Sequence, residues 1–142
     1  MKWLIDTNII SEIRKGDRCQ ERVARWWGER ADEDLFLSVL TIGEIGKGIA
    51  AVRPRNAAKA HEIEAWLRRV TDAFASRIIP IDAAVAKEWG RISALRPLPV
   101  IDALLAATAI AHEMVLATRN TPDVAGTGAR LYNPFNPDPW AA

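Results

Sequence analysis

Short apolar runs alternate with stretches of helical periodicity along this chain, and that alternation restricts its fold more than any other feature. Lys2 to Ile5, Leu35 to Leu40, Arg77 to Ile81, Met114 to Thr118 and Arg130 to Tyr132 read as strands. Helices are expected from Thr7 to about Lys15-Gly16, and over Glu21 to Glu29, Ala57 to Phe74, Ala83 to Leu95 and Ile101 to His112. The spacing Ile63, Trp66, Leu67, Val70, Phe74 is that of one buried helical face. Thr41, with Glu44 three residues on, reads as a capping box that opens a further helix, which Pro54 stops. Asp82 reads as another N-cap, and Gly126 and Gly128 as a turn before the last strand. Strands separated by helices predict an α/β domain with a parallel sheet, whose ligands bind at the carboxyl ends of the strands.

The 142 residues suit one domain over 1–142. A chain of that length buries roughly two-thirds of its unfolded surface, so its core needs no covalent staple. Cys19 is the only cysteine, which rules out an intrachain disulfide and fits a cytoplasmic protein. Asp6 interrupts the apolar opening before it can act as a signal sequence, and no run reaches membrane-spanning length. With 19 basic and 18 acidic residues the net charge is +1, too little to coat nucleic acid by bulk attraction. A local grip on a few phosphates stays open. Near-neutrality also favours self-association or a tight partner.

Certain acids stand where packing gives them little reason to be. Asp6 follows directly on an apolar strand, and Asp102 begins a helix otherwise made of Ala, Leu, Ile and Thr. Each alone is as well explained as a helix cap. Taken with Glu44 and Asp123, however, they fall at the carboxyl ends of separate strands or in the helices beside them. Carboxylates crowded on one rim repel one another and lose hydration, a cost that a cation offsets. A set of hard oxygen donors without nearby histidine or cysteine suits Mg²⁺ or Mn²⁺ rather than zinc. Such an ion carries out phosphoryl chemistry as one centre or as a pair, and the spacing leaves both open. An aspartyl-nucleophile phosphatase is a poorer reading, because Asn8 stands where such enzymes want a second aspartate. A binding module whose acids no longer catalyse is the other alternative.

The blocks that carry these acids are Leu4-Ile5-Asp6-Thr7-Asn8-Ile9-Ile10-Ser11-Glu12, Thr41-Ile42-Gly43-Glu44-Ile45, Ile101-Asp102-Ala103-Leu104-Leu105 and Leu116-Ala117-Thr118-Arg119-Asn120-Thr121-Pro122-Asp123. In order and spacing they resemble the PIN-domain ribonucleases, specifically the VapC-type toxins of bacterial toxin–antitoxin pairs. The resemblance implies a three-layer α/β/α sandwich with a central parallel sheet and a magnesium-dependent endoribonuclease. It makes Asp6, Asp102 and Glu44 the metal-binding acids and Thr118 a hydroxyl that braces them. Asp123 is taken as the fourth acid, and Asn120 as a residue that orients water or a carboxylate. It also implies a homodimer and a VapB-type antitoxin, through which alone operator DNA would be met. Trp26, Trp27, Ile45 and Ile49 are candidates to line the antitoxin groove, and Trp89 and Trp140 to lie in a dimer contact. Arg14, Lys15, Arg18 and Arg119 are candidates to hold RNA phosphates.

Overall fold

The computed structural model describes residues 1–140; positions 141–142 of the expected domain span lie outside the described residues. The strands are β1 (Trp3–Ile5), β2 (Leu35–Ser38), β3 (Ile78–Ile79), β4 (Val115–Ala117) and β5 (Arg130–Tyr132). The helices are α1 (Thr7–Ile13), α2 (Glu21–Gly28), α3 (Val39–Val52), α4 (Ala57–Phe74), α5 (Ala83–Ser93), α6 (Val100–Ala111) and α7 (Thr121–Val124). The strands form one sheet in the order β3-β2-β1-β4-β5. Every pairing is parallel, with Leu4 beside Phe36 on one side and Leu116 on the other.

Side chains alternate across a strand, so the apolar strands feed two cores. Trp3, Ile5, Val115 and Ala117 point to one face, where they pack with Ile9, Ile10, Val23, Trp26, Ile45, Ile49, Val70 and Phe74 from α1 to α4. Leu4 and Leu116 point to the other, against Val85 and Ile92 of α5 and the alanine-rich α6. Helices therefore cover both faces of the parallel sheet, giving the expected three-layer sandwich. Among the described residues no helix is long and apolar enough to cross a membrane.

Several boundaries differ from the sequence reading. β2 ends at Ser38 rather than Leu40, and Ser38, not Thr41, caps α3: its buried hydroxyl accepts from Leu40 N at 3.0 Å. Val39 and Leu40 are apolar enough to look like strand, yet they form the first turn of the helix. Glu44 thus lies in the second turn of α3, outside a capping box. Asp102 is not a cap either, because α6 starts at Val100 behind Pro99. The third strand shrinks to Ile78–Ile79, since Arg77 belongs to a 3₁₀ turn and donates to the carbonyls of Leu35 and Ala73. Asp82 does cap α5, accepting from Val85 N at 2.9 Å.

Candidate active site

Two neighbouring strands, β1 and β4, mark the point where the chain order reverses, the position at which open α/β sheets leave a crevice. Asp6 follows β1 and Thr118 follows β4, so the sheet itself brings them together. The Asp6 N–H donates to Ala117 O at 3.0 Å, continuing the ladder one residue beyond the strand. The Thr118 hydroxyl then donates to Asp6 Oδ2 at 2.7 Å. Thr7 N donates to Asp6 Oδ1 at 2.7 Å and Asn8 Nδ2 to Oδ2 at 3.2 Å, which fixes the orientation of the carboxylate. Asp6 is thus both the N-cap of α1 and a member of the site.

Glu44 joins through a residue the sequence reading did not assign to the site. Thr7 Oγ1 donates to Glu44 Oε1 at 2.5 Å and lies 3.4 Å from the buried Thr41 hydroxyl. Asn8 was also missed as a site residue: its Oδ1 accepts from Arg119 N at 3.2 Å, clasping the two strand ends. The available signal was a pair of polar residues, Thr7-Asn8, set between Ile5-Asp6 and Ile9-Ile10. Asn120 contributes its backbone N–H, which donates to Thr118 Oγ1 at 3.0 Å. Its exposed side chain does not cap α7.

Asp102 lies in the first turn of α6, where the helix dipole would favour its charge. The opposite effects win. Burial first, then the negative charges of Asp6, Asp123 and Glu44 in that order, push its carboxyl up from 3.8 to about 6. Asp6 is also pushed up, chiefly by burial, with hydrogen bonds from Thr118 and Thr7 opposing the rise and the Glu44 charge adding to it. Asp102 therefore feels the other three sequence-predicted acids and Asp6 feels Glu44, with Asp6 buried, Glu44 and Asp102 half-buried and Asp123 exposed. Among the described residues no three acidic, histidine or cysteine groups close into a ready-made metal cage. The donors on offer are carboxylate oxygens set apart from one another. That arrangement fits Mg²⁺, which keeps several waters and takes only one or two carboxylates directly.

The other candidates separate. His112 closes α6 at the end remote from Asp102, and His61 is exposed on α4. Burial and the Glu12 charge push the Cys19 thiol up, away from a reactive thiolate. Of the apolar groove candidates, Trp26, Ile45 and Ile49 are each only 6% exposed and belong mainly to the core. A groove of about 270 Å³ beside the acids is lined by Thr7, Arg14, Glu44, Ile45, Ile63 and Trp66. Trp27 lines a separate cleft with Trp66. Of the residues expected in a dimer contact, Trp140 touches Trp3 and Tyr132 of its own chain yet is 50% exposed, and Trp89 is 38% exposed.

The chain as a whole has known relatives. The family model described as PIN domain matches residues 3–122. Toxin FitB of Neisseria gonorrhoeae is 31% identical over 139 residues, covering 94% of this chain and 98% of that protein. VapC ribonuclease Y4jK of Sinorhizobium fredii is 30% identical over 141 residues, with 94% and 98% covered. Among solved structures, FitAcB from Neisseria gonorrhoeae superposes with a TM-score of 0.85 at 31% identity, covering 94% of this chain and 99% of that one. A site built at the β1–β4 switch point, a parallel sheet covered on both faces and a family match over most of the chain agree: this protein belongs to the PIN-domain family.

Proposed function

We propose that the protein is the toxin of a toxin–antitoxin pair, a magnesium-dependent endoribonuclease that hydrolyses RNA phosphodiester bonds and is neutralised by a cognate VapB-type antitoxin. The observation that carries this reading is Asp102, half-buried and raised in proton affinity by burial and by the charges of Asp6, Asp123 and Glu44, which come from three other segments. A group of this kind costs stability unless a cation shares the pocket. The resemblance to proteins named Toxin FitB and VapC ribonuclease Y4jK supports the substrate class and the biological role.

Asp6, Asp102, Glu44 and Asp123 would hold Mg²⁺ or Mn²⁺, which supplies Lewis acidity at the phosphate and an activated water. The chain's own contribution is positioning. Thr118 and Thr7 hold the two oxygens of Asp6 in place, and the Thr7 hydroxyl holds Glu44 towards the same rim. Asn120, at the outer lip, orients water or a carboxylate. The groove that Arg14, Ile45 and Trp66 line opens beside Glu44 and suits an antitoxin segment that sends a basic side chain among the acids. The solved structure of FitAB bound to the IR36 DNA fragment supports operator binding through the antitoxin. Val39, Leu95 and Val100, 40%, 55% and 61% exposed, leave apolar surface for a homodimer in the cytoplasm.

The decisive assay is cleavage of a defined RNA by purified toxin. Asp6→Asn and Asp102→Asn each abolish cleavage while the protein stays folded by circular dichroism. Chelation abolishes it in the wild type, and manganese restores it. RNA cleavage that survives chelation overturns the metal reading, and cleavage that survives both substitutions overturns the site.

A further inference from the structure

A second charged feature lies beyond the acid rim, at the far side of β5. A cleft of about 290 Å³ opens between α2 and the segment after β5, walled by Arg22, Arg25, Trp26, Arg30, Tyr132 and Pro137. Arg22 and Arg25 are exposed and stand at i, i+3 on one face of α2. Among the described residues Arg22 forms no salt bridge, and Arg25 has only Glu21, at 2.9 Å in an exposed pair that contributes little. Arg30 is held more firmly: its Nε donates to Trp26 O at 3.3 Å, and its guanidinium lies over the rings of Trp3 and Trp26. Among the described residues the one acid in the wall is Glu29, 3.6 Å from Arg30. A chain of net charge +1 therefore gathers three guanidinium groups in one cleft.

Connectivity ties this cleft to the acids. Tyr132 pairs with Ala117, which pairs with Ile5 just before Asp6. The cleft wall is thus two strand spacings, about 9–10 Å, from the strand that carries Asp6. Arg119 adds a positive charge on the acid side of that interval. It follows Thr118, its guanidinium lies 4.5 Å from the centre of the Phe135 ring, and its positive charge reaches Glu12 at the end of α1. Positive groups therefore stand both beside Thr118, at Arg119, and in the cleft, at Arg22, Arg25 and Arg30.

We propose that this cleft is a phosphate-binding subsite for the RNA strand on one side of the scissile bond, a few nucleotides from the acids. This rests on the ribonuclease reading above. Guanidinium forks match phosphate oxygens, and flat rings with proline walls give bases a surface without reading their sequence. The subsite supplies the local attraction that the acid rim, itself negative, cannot.

The test compares wild type, Arg22→Ala/Arg25→Ala and Arg22→Lys/Arg25→Lys on two RNA substrates. One is cut at a single site and extends several nucleotides to both sides; the other is a dinucleotide. The alanine variant raises KM on the long RNA by about tenfold or more at low salt, with kcat unchanged. Its salt dependence of binding becomes shallower by roughly 1.4 in the log–log slope, as two lost single-strand phosphate contacts require. The lysine variant restores the wild-type salt slope but only part of the affinity, because it keeps the charge and loses the fork, and the dinucleotide is cleaved equally by all three. Equal KM values on the long RNA overturn the subsite while leaving the ribonuclease reading intact. So does loss of complex with an acidic protein partner without loss of RNA affinity, because the cleft is then a protein-docking surface. A wild type that neither binds nor cleaves RNA overturns both.

Discussion

Asp6 and Glu12 are acids at opposite ends of one short helix, 5% and 7% exposed, and their proton affinities move in opposite directions. Asp6, at the start of α1, is pushed up by burial and by Glu44. Glu12, near the end, is pulled down by hydrogen bonds from Lys15 and from Gln20 N, both at 2.9 Å. Glu12 is covered rather than deep, lying beneath a lysine whose own side chain is 51% exposed. Its charge is answered by the chain itself, and it ties α1 to the turn that leads into α2. The charge on Asp6 is answered only by neutral donors. A buried acid therefore marks function when its neighbours leave the charge uncompensated, and marks architecture when they do not.

The largest expected effect tests that distinction directly. Glu12→Ala strands Gln20 N and Lys15 without their acceptor and should lower stability by about 3 kcal/mol in urea denaturation. Asp6→Asn, in metal-free protein, should leave stability unchanged or raise it, because it removes a repelling charge. Equal losses from both would erase the contrast. Next in size is the response to manganese. At about a hundred times its dissociation constant it should add roughly 2.7 kcal/mol to the wild type. Asp102→Asn should lose most of that gain. A melting temperature indifferent to millimolar manganese argues against a metal site.

Titration separates the two ends further. Asp102, at about 6, and Asp6 both bind protons more tightly in the folded state, so their contribution is present at low pH and is lost as pH rises through the folded value. For half-buried Asp102 this amounts to about 1–2 kcal/mol once solvent screening is allowed for. Glu12 behaves in the opposite sense: its contribution is present above the ordinary value of 4.5 and is lost as pH falls through its lower folded value. Metal-free protein should therefore melt highest between about pH 3.8 and 4.5, the ordinary values of these groups, and lose stability from there to about pH 6, and Asp102→Asn should flatten that fall. A maximum at pH 7 or above in the metal-free protein would contradict these assignments.

The sequence made the alternation of strands and helices legible because each strand is a dense apolar run and each helix keeps its period. Asp6 and Asp102 stood out for a related reason: each interrupts apolar surroundings. The start of α3 was hidden, since Val39 and Leu40 suit a strand as well as a helix and only the buried Ser38 hydroxyl decides between them. Thr7 and Asn8 were hidden as site residues because their bonds, to Glu44 and to Arg119 N, span 37 and 111 positions. The cleft at Arg22 and Arg25 had no local signal either. One wall is α2 and the other is the segment after β5, and their meeting depends on β5 lying at the sheet edge next to β4.

Glycines give the smallest and most discriminating test of the same contrast. Beyond the Glu12 end of α1, Gly16 has φ +60, a conformation that a side chain resists, so Gly16→Ala should cost about 1 kcal/mol. Near the acids, Gly43 and Gly48 flank Glu44 on α3 in ordinary helical geometry, and a Cβ built on either meets nothing within 4 Å. The fold of the single chain gives no reason for them. Gly43→Ala and Gly48→Ala should each stabilise the toxin by about 0.5–1 kcal/mol. If close approach of another surface is what requires glycine there, the same variants should weaken binding of the antitoxin or of a second copy, measured by titration calorimetry or sedimentation. Stabilised variants that bind and assemble as well as the wild type would show that the acid end of the molecule gives up no stability to an interface, and that the repelling carboxylates alone account for its difference from the Glu12 end.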